Sequence, residues 1–186
     1  LETWFLGTSA GTAIADILFG DYNPSGRLTI SFPRAEGQVP VYYNYKKSGR
    51  PGDMPHSSTT RHIDVPNAPL YPFGYGLSYT TFSYGKPAIN GRTVTVSVSN
   101  TGNVAGQEVV QFYVGDDKAS VIRPVKELKH FEKVALAPGE TKQITYTIDD
   151  EDLKFFDDTQ HKWVAEPGKF KIYIGSSSKD IKGVVG

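Results

Sequence analysis

Thr93-Val94-Thr95-Val96-Ser97-Val98-Ser99 alternates a small polar residue with valine along its whole length. At a side-chain period of two, this pattern makes one face of a β-strand apolar and the other polar, and it produces no stripe on a helix. Asn100-Thr101-Gly102-Asn103 then supplies turn residues, after which Glu108-Val109-Val110-Gln111-Phe112-Tyr113-Val114 opens a second strand. Leu128 to Leu136, Gln143 to Ile148, Lys162 to Ala165 and Lys169 to Gly175 continue the series, with tight turns at Ala137-Pro138-Gly139-Glu140 and Glu166-Pro167-Gly168. A further strand near Thr80 to Tyr84 gives about seven strands in roughly a hundred residues, the number in an immunoglobulin-like sandwich. The chain has no Cys, so this sandwich has no disulfide.

Ahead of the sandwich the pattern differs. Leu1-Glu2-Thr3-Trp4-Phe5-Leu6 reads as a strand already in progress, and the absence of an initiator Met or a leader suggests a piece of something longer. Ala10, Ala13, Ile14, Ile17 and Leu18 fall at helical spacing, with Thr8 or Ser9 as N-cap and Gly20 where a left-handed C-cap belongs. Asp21-Tyr22-Asn23-Pro24-Ser25-Gly26 is dense turn chemistry, and Leu28-Thr29-Ile30-Ser31-Phe32 alternates as a half-buried strand. One helix and two strands cannot bury one another, so this segment is expected to complete a sheet formed elsewhere. From Val41 to Tyr75 periodicity vanishes in a stretch punctuated by proline and rich in tyrosine. Tails without structure are poor in aromatics, so a long ordered loop on a protein surface is expected.

Composition narrows the function classes. Among 186 residues, 38% are hydrophobic, and 20 Lys and Arg balance 20 Asp and Glu. Nucleic acid is not an expected partner, because phosphate binding requires a clustered basic face. No apolar run approaches the ~20 residues of a bilayer-spanning helix, so no membrane partner is expected either. His56, His62, His130 and His161 are too scattered for a helical metal pair, and no metal or other cofactor is expected. The acidic run Asp149-Asp150-Glu151-Asp152 lacks calcium-loop spacing and suits the N-terminus of a short helix at Leu153-Lys154-Phe155-Phe156.

Two features invite a chemical reading. Gly7-Thr8-Ser9-Ala10-Gly11 matches G-x-S-x-G between a strand and a helix, the setting of a nucleophilic serine, yet an N-cap serine between two turn glycines explains the same residues. The loop gathers Tyr42, Tyr43, Tyr45, Tyr71, Tyr75 and Tyr79 with Arg50, Arg61 and Asp64. Aromatic faces beside bidentate donors suit neutral sugar rings, and the same side chains can glue a loop to a neighbouring domain. Tyr42, Tyr43, Arg61 and Asp64 are the candidates for substrate binding or domain contact.

Longer motifs carry a resemblance. Ala13-Ile14-Ala15-Asp16-Ile17-Leu18-Phe19-Gly20-Asp21-Tyr22-Asn23-Pro24-Ser25-Gly26-Arg27-Leu28, then Gly37-Gln38-Val39-Pro40-Val41-Tyr42-Tyr43, then Leu70-Tyr71-Pro72-Phe73-Gly74-Tyr75-Gly76-Leu77-Ser78-Tyr79 resemble the C-terminal part of glycoside hydrolase family 3, and bacterial periplasmic β-glucosidases most. Ser120-Val121-Ile122-Arg123-Pro124-Val125-Lys126-Glu127-Leu128 resembles the fibronectin type III-like domain that closes such enzymes. One departure is Leu6, where relatives usually carry Pro before Gly7.

The resemblance implies a mainly β chain in three parts. Residues 1–32 would be the strand-helix-strand end of an α/β sandwich domain, 33–78 a Tyr/Pro-rich connecting loop, and 79–186 a fibronectin type III-like β-sandwich. It also implies a retaining, exo-acting β-glucosidase or β-xylosidase, periplasmic or secreted, whose nucleophilic aspartate lies in a barrel domain and whose acid/base glutamate lies upstream in the middle domain. No catalytic residue is carried over to this chain, which alone is expected to be inactive. Its partners would be the barrel and α/β domains of the same enzyme and a β-linked oligosaccharide or glycoside, with the tyrosine loop bordering the pocket or a homodimer contact. A carbohydrate-binding module and a serine hydrolase using Ser9 are the alternatives.

Overall fold

The computed structural model describes residues 1–47, 49–50, 60–116 and 118–186. Two antiparallel sheets from the second half of the chain face each other across one apolar core. In the first sheet the central strand is β3 (Thr93–Asn100), flanked by β6 (Thr141–Thr147) on one edge. Its other edge carries β1 (Phe82–Tyr84) and β2 (Ala88–Asn90), two halves of a strand interrupted at Gly85-Lys86-Pro87. The second sheet runs β10 (Ile181–Val185), β9 (Phe170–Gly175), β4 (Gly106–Asp116), β5 (Glu127–Leu136). This is the layering of a fibronectin type III-like sandwich, as the strand series predicts.

The alternation read from the sequence is realised residue by residue. Val94, Val96 and Val98 are buried while the polar positions between them are half-exposed. They meet Val110, Phe112 and Val114 of β4, Val134 and Leu136 of β5, Ile144 and Tyr146 of β6, and Ile172 and Ile174 of β9. β4 is buried on both faces. Its outward residues Gln111 and Tyr113 have almost no solvent contact, because the chain preceding the sandwich lies over them.

Four expectations need correction. Leu1 to Leu6 form no strand, because nothing among the described residues pairs with them. Leu28 to Phe32 is not a regular strand either: its hydrogen bonds go to the irregular segment 70–75, through Leu28 N–H to Tyr75 O and Phe32 N–H to Tyr71 O, with one isolated bridge at Phe32. The short helix α2 is Asp150–Leu153, containing the acidic residues, and Phe155 and Phe156 begin a hairpin of β7 (Phe155–Asp157) and β8 (Lys162–Val164). Strand β10 was not anticipated. Gly183 interrupts its alternation because a Cβ there would lie 2.4 Å from Pro87 Cγ, and the pairing with β9 shifts register at this point.

The helix α1 (Ala10–Phe19) ends at left-handed Gly20 as predicted, but none of its residues is buried. The described part of the loop that follows contains a 3-10 turn at Glu36–Gln38. No helix among the described residues is long and apolar enough to cross a membrane.

Candidate functional site

The front segment meets the sandwich through side chains that sequence periodicity does not reveal. Tyr43 stacks on Phe73 with centroids 4.2 Å apart and meets the edge of Tyr113 at 5.7 Å. Its phenol oxygen accepts the Leu128 N–H at 3.1 Å, and burial pushes the phenol pKa upward. Tyr43 is therefore a joint between loop and β-sheet, half-buried by its stack on Phe73 and its contact with Tyr113.

Beneath it a buried amide completes the joint. Gln111 Nε2 donates to Gly74 O at 3.0 Å and Ser176 O at 2.7 Å, while its Oε1 accepts the Tyr113 hydroxyl at 2.5 Å. Gly74 adopts φ 79°, and a Cβ there would overlap Gln111 Oε1 at 2.1 Å. The Phe73-Gly74 turn thus requires glycine for both backbone and space. Lys126 closes the rim, donating to Ser178 O and lying 5.5 Å from the ring centroids of both Tyr113 and Tyr173. Burial, with Lys179 nearby, lowers its pKa to about 8.

Two more polar centres fix the front segment. Gln38, 1% exposed, donates to Pro66 O and Ala68 O and accepts the Arg34 N–H, so that one amide holds both ends of the described loop. Arg27 reaches into the end of the sandwich and pairs with Glu108 at 2.8 Å, both side chains being buried. The other Glu108 oxygen accepts the Tyr84 hydroxyl at 2.7 Å. Burial raises the Glu108 carboxyl above its ordinary value against the opposing pull of Arg27, and burial beside Glu108 raises the Tyr84 phenol. Neither group lines either of the two grooves described below. Sequence reading passed over Arg27, Gln38, Glu108 and Gln111, although Glu108 and Gln111 stand out as polar residues inside the apolar run of β4.

The four predicted site residues do not converge on one site: Tyr42 and Tyr43 border one groove, and Arg61 and Asp64 are not among its lining residues. Tyr42 is 64% exposed and lines a groove of about 390 Å³ with Tyr43, Ile30, Val39, Pro40 and Phe73. Arg61 and Asp64 are exposed in a turn held by Asn67, whose amide donates to Thr60 O and whose oxygen accepts the His62 N–H. Among the described residues no hydrogen bond or ion pair connects Arg61 or Asp64 to Tyr42 or Tyr43. The groove is lined mainly by apolar side chains and contains no carboxylate.

Other candidates resolve into structure. Ser9 is the N-cap residue of α1, as expected, and is exposed, but its hydroxyl makes no cap hydrogen bond. Asp149 and Asp152 form a capping box: each backbone N–H donates to the other's carboxylate at 3.0 Å. His130 stacks on Tyr146 at 4.7 Å, and His56 lies outside the described residues. No group of three or more His, Cys, Asp or Glu side chains among the described residues could hold a metal ion. A second groove, of about 400 Å³, includes Asp21 and Glu140. There Glu140 accepts the Ala137 N–H and pairs with Lys142, and these contacts hold its carboxyl below the usual range, the wrong direction for a general acid.

Comparison with known proteins fits this division of the chain. The family described as Glycosyl hydrolase family 3 C-terminal domain matches residues 1–79, and the Fibronectin type III-like domain matches residues 108–178. A periplasmic beta-glucosidase of Salmonella typhimurium is 52% identical over 98% of this chain and 25% of that protein. A beta-xylosidase of Formosa agariphila is 49% identical over 99% of this chain and 26% of its own length. The crystal structure of beta-glucosidase from Listeria innocua in complex with glucose superposes with a TM-score of 0.91 at 43% identity, covering 99% of this chain and 27% of that one. The chain thus spans about a quarter of the length of these relatives. With both matched domains in order and the solved fold reproduced, the chain belongs to glycoside hydrolase family 3, as its C-terminal part.

Proposed function

We propose that this chain is the non-catalytic C-terminal part of a retaining, exo-acting β-glucosidase, with β-xylosides as alternative substrates. The observation that carries the reading is near-complete coverage of the chain by enzymes named beta-glucosidase and beta-xylosidase, at 52% and 49% identity. Retaining hydrolysis requires two carboxyl groups about 5 Å apart across the scissile bond, one of them protonated. The acidic groups described here serve other ends: Glu108 is paired inside the sandwich, and Asp149 and Asp152 cap a helix.

The role of the chain is to hold domains. Residues 1–32 are the end of the α/β domain, 33–78 the connecting loop whose Tyr43 and Gly74 lie over the outer face of β4, and 79–186 the sandwich that anchors it. Tyr43 acts as a domain contact, while Tyr42, Arg61 and Asp64 present exposed groups to substrate, to the barrel and α/β domains or to a second copy. The name of the Salmonella relative supports a periplasmic location.

An aryl β-glucoside assay tests the reading. The complete enzyme is expected to release the aglycone, and the purified 186-residue chain to release none; turnover by the chain alone would overturn the proposal. In the complete enzyme, Tyr43→Ala is expected to loosen the loop, while Arg61→Ala separates the roles of the exposed groups through a change in KM or in oligomer size.

A further inference from the structure

The hairpin β7–β8 carries two aromatic residues that the fold does not use. Phe156 and Trp163 are directly opposite in the register, with ring centroids 5.8 Å apart at 73°. They remain 52% and 64% exposed. Their neighbours on the strands, Phe155 and Val164, turn inward, and the Arg123 guanidinium lies 5.5 Å from the Phe155 ring. The hairpin is thus fastened by one face and displays the other.

It is also held rigid. Asp157 Oδ1 accepts the N–H groups of Thr159 and Gln160, and its Oδ2 accepts Gln160 Nε2 at 2.5 Å, closing the turn. The capping box of α2 fixes the chain before the hairpin, and Glu166 accepts the Ser120 N–H after it. A cross-strand aromatic pair stabilises a ribbon only slightly, which accounts for the pairing but not for two large rings left more than half exposed.

We propose that the Phe156–Trp163 corner binds a pyranose ring of a β-linked glucan oligosaccharide. The size of the patch decides the class of occupant. Half-exposed rings of this kind offer roughly 200–300 Å² together, well below the ~800 Å² per partner of a specific protein interface and about the face of one sugar. The chemistry around it agrees: Asp158, Thr159, Gln160, His161 and Lys162 are all exposed. A pyranose lays its C–H face on an aromatic ring and turns its equatorial hydroxyls to such a polar rim. A preorganised platform loses little on binding so small a ligand. The choice of glucan rests on the β-glucosidase reading; the aromatic platform does not.

Titration of the 186-residue chain with cellotetraose, followed by 1H–15N chemical shifts including the Trp163 indole N–H, tests the proposal. Saturable shifts confined to residues 155–164 are expected, with a dissociation constant on the order of 1 mM. Trp163→Ala is expected to weaken binding about tenfold, while Trp163→Phe, which keeps a ring and reports on hairpin integrity, stays within about threefold of the parent. No shift at about 10 mM cellotetraose, or equal binding by Trp163→Ala, would overturn it. So would self-association that Trp163→Ala abolishes, which would make the corner a protein interface. The aryl glucoside assay of the complete enzyme is independent of this result: an inactive enzyme that still binds at Trp163 refutes the glucosidase reading alone.

Discussion

The two halves of this chain are held by different forces. Every fully buried residue of the apolar core lies between Val94 and Ile174, whereas α1 buries nothing, and the buried residues described among the first 79 positions are Ser25, Gln38 and Gly74, none with an apolar side chain. The sandwich stabilises itself by removing valine, leucine, isoleucine and phenylalanine from water. The front segment takes its shape from amides, a buried ion pair and ring stacks, and leaves Trp4, Phe5, Leu18, Phe19 and Ile63 exposed. Exposed apolar surface of that extent marks a contact face. Shape and stability are therefore separable in this molecule, and the contrast can be tested at several strengths.

The widest separation is expected in amide hydrogen exchange. Strands β3, β4 and β9 open only with the whole sandwich, which for a domain of ordinary stability means protection of about four orders of magnitude or more. A helix of α1's length without packing is marginal in water, so its amides are expected to exchange nearly unprotected in the isolated chain. Comparable protection in both would break the comparison.

Phe112→Ala, at the centre of the core, is expected to cost about 3–5 kcal/mol in urea-induced unfolding. Arg27→Met strands a buried carboxylate at Glu108 and is expected to cost about 3 kcal/mol, most of which the double variant Arg27→Met/Glu108→Met recovers by removing both charges. If the single variant were silent, the joint between front segment and sandwich would not depend on this pair.

The smallest effect concerns pH. The unfolded chain keeps the Lys126 proton to pH 10.5, whereas the folded chain releases it near pH 8. The unfolded state binds more protons across that window, so Lys126 makes stability rise between pH 8 and 10.5. Lys126→Met is expected to flatten this slope in thermal melts across the same range, and an unchanged slope would remove Lys126 as its origin.

What was legible in the sequence follows the same division. Val94, Val96 and Val98 declare their strand because burial against a core repeats with the pleat. Ile181 to Val185 does not, since Gly183 is present to clear Pro87, a contact nearly a hundred residues away in sequence. Phe155 and Phe156 follow an acidic cap and so read as helix, although the helix stops at Leu153. Leu28 to Phe32 pairs with an irregular segment, which alternation cannot reveal. At the candidate site, the aromatic character of Tyr43 was readable, but its partners Phe73, Tyr113 and Leu128 come from three other segments. Gln38 and Gln111 were missed because an amide becomes a clamp only when folding brings backbone carbonyls to it. Tyr42, Arg61 and Asp64 share a loop without sharing a site.

The interruption between β1 and β2 has a consequence for the behaviour of the domain in crowded solution. A continuous outer strand would offer a passing polypeptide an unbroken row of backbone donors and acceptors. Here the row is cut after three residues by Lys86, whose charge resists association, and by Pro87, which has no N–H to give and is seated against Gly183 of the opposite sheet. No foreign strand can extend this side of the sandwich beyond a single short segment, so the domain is protected at that edge from templating its own aggregation.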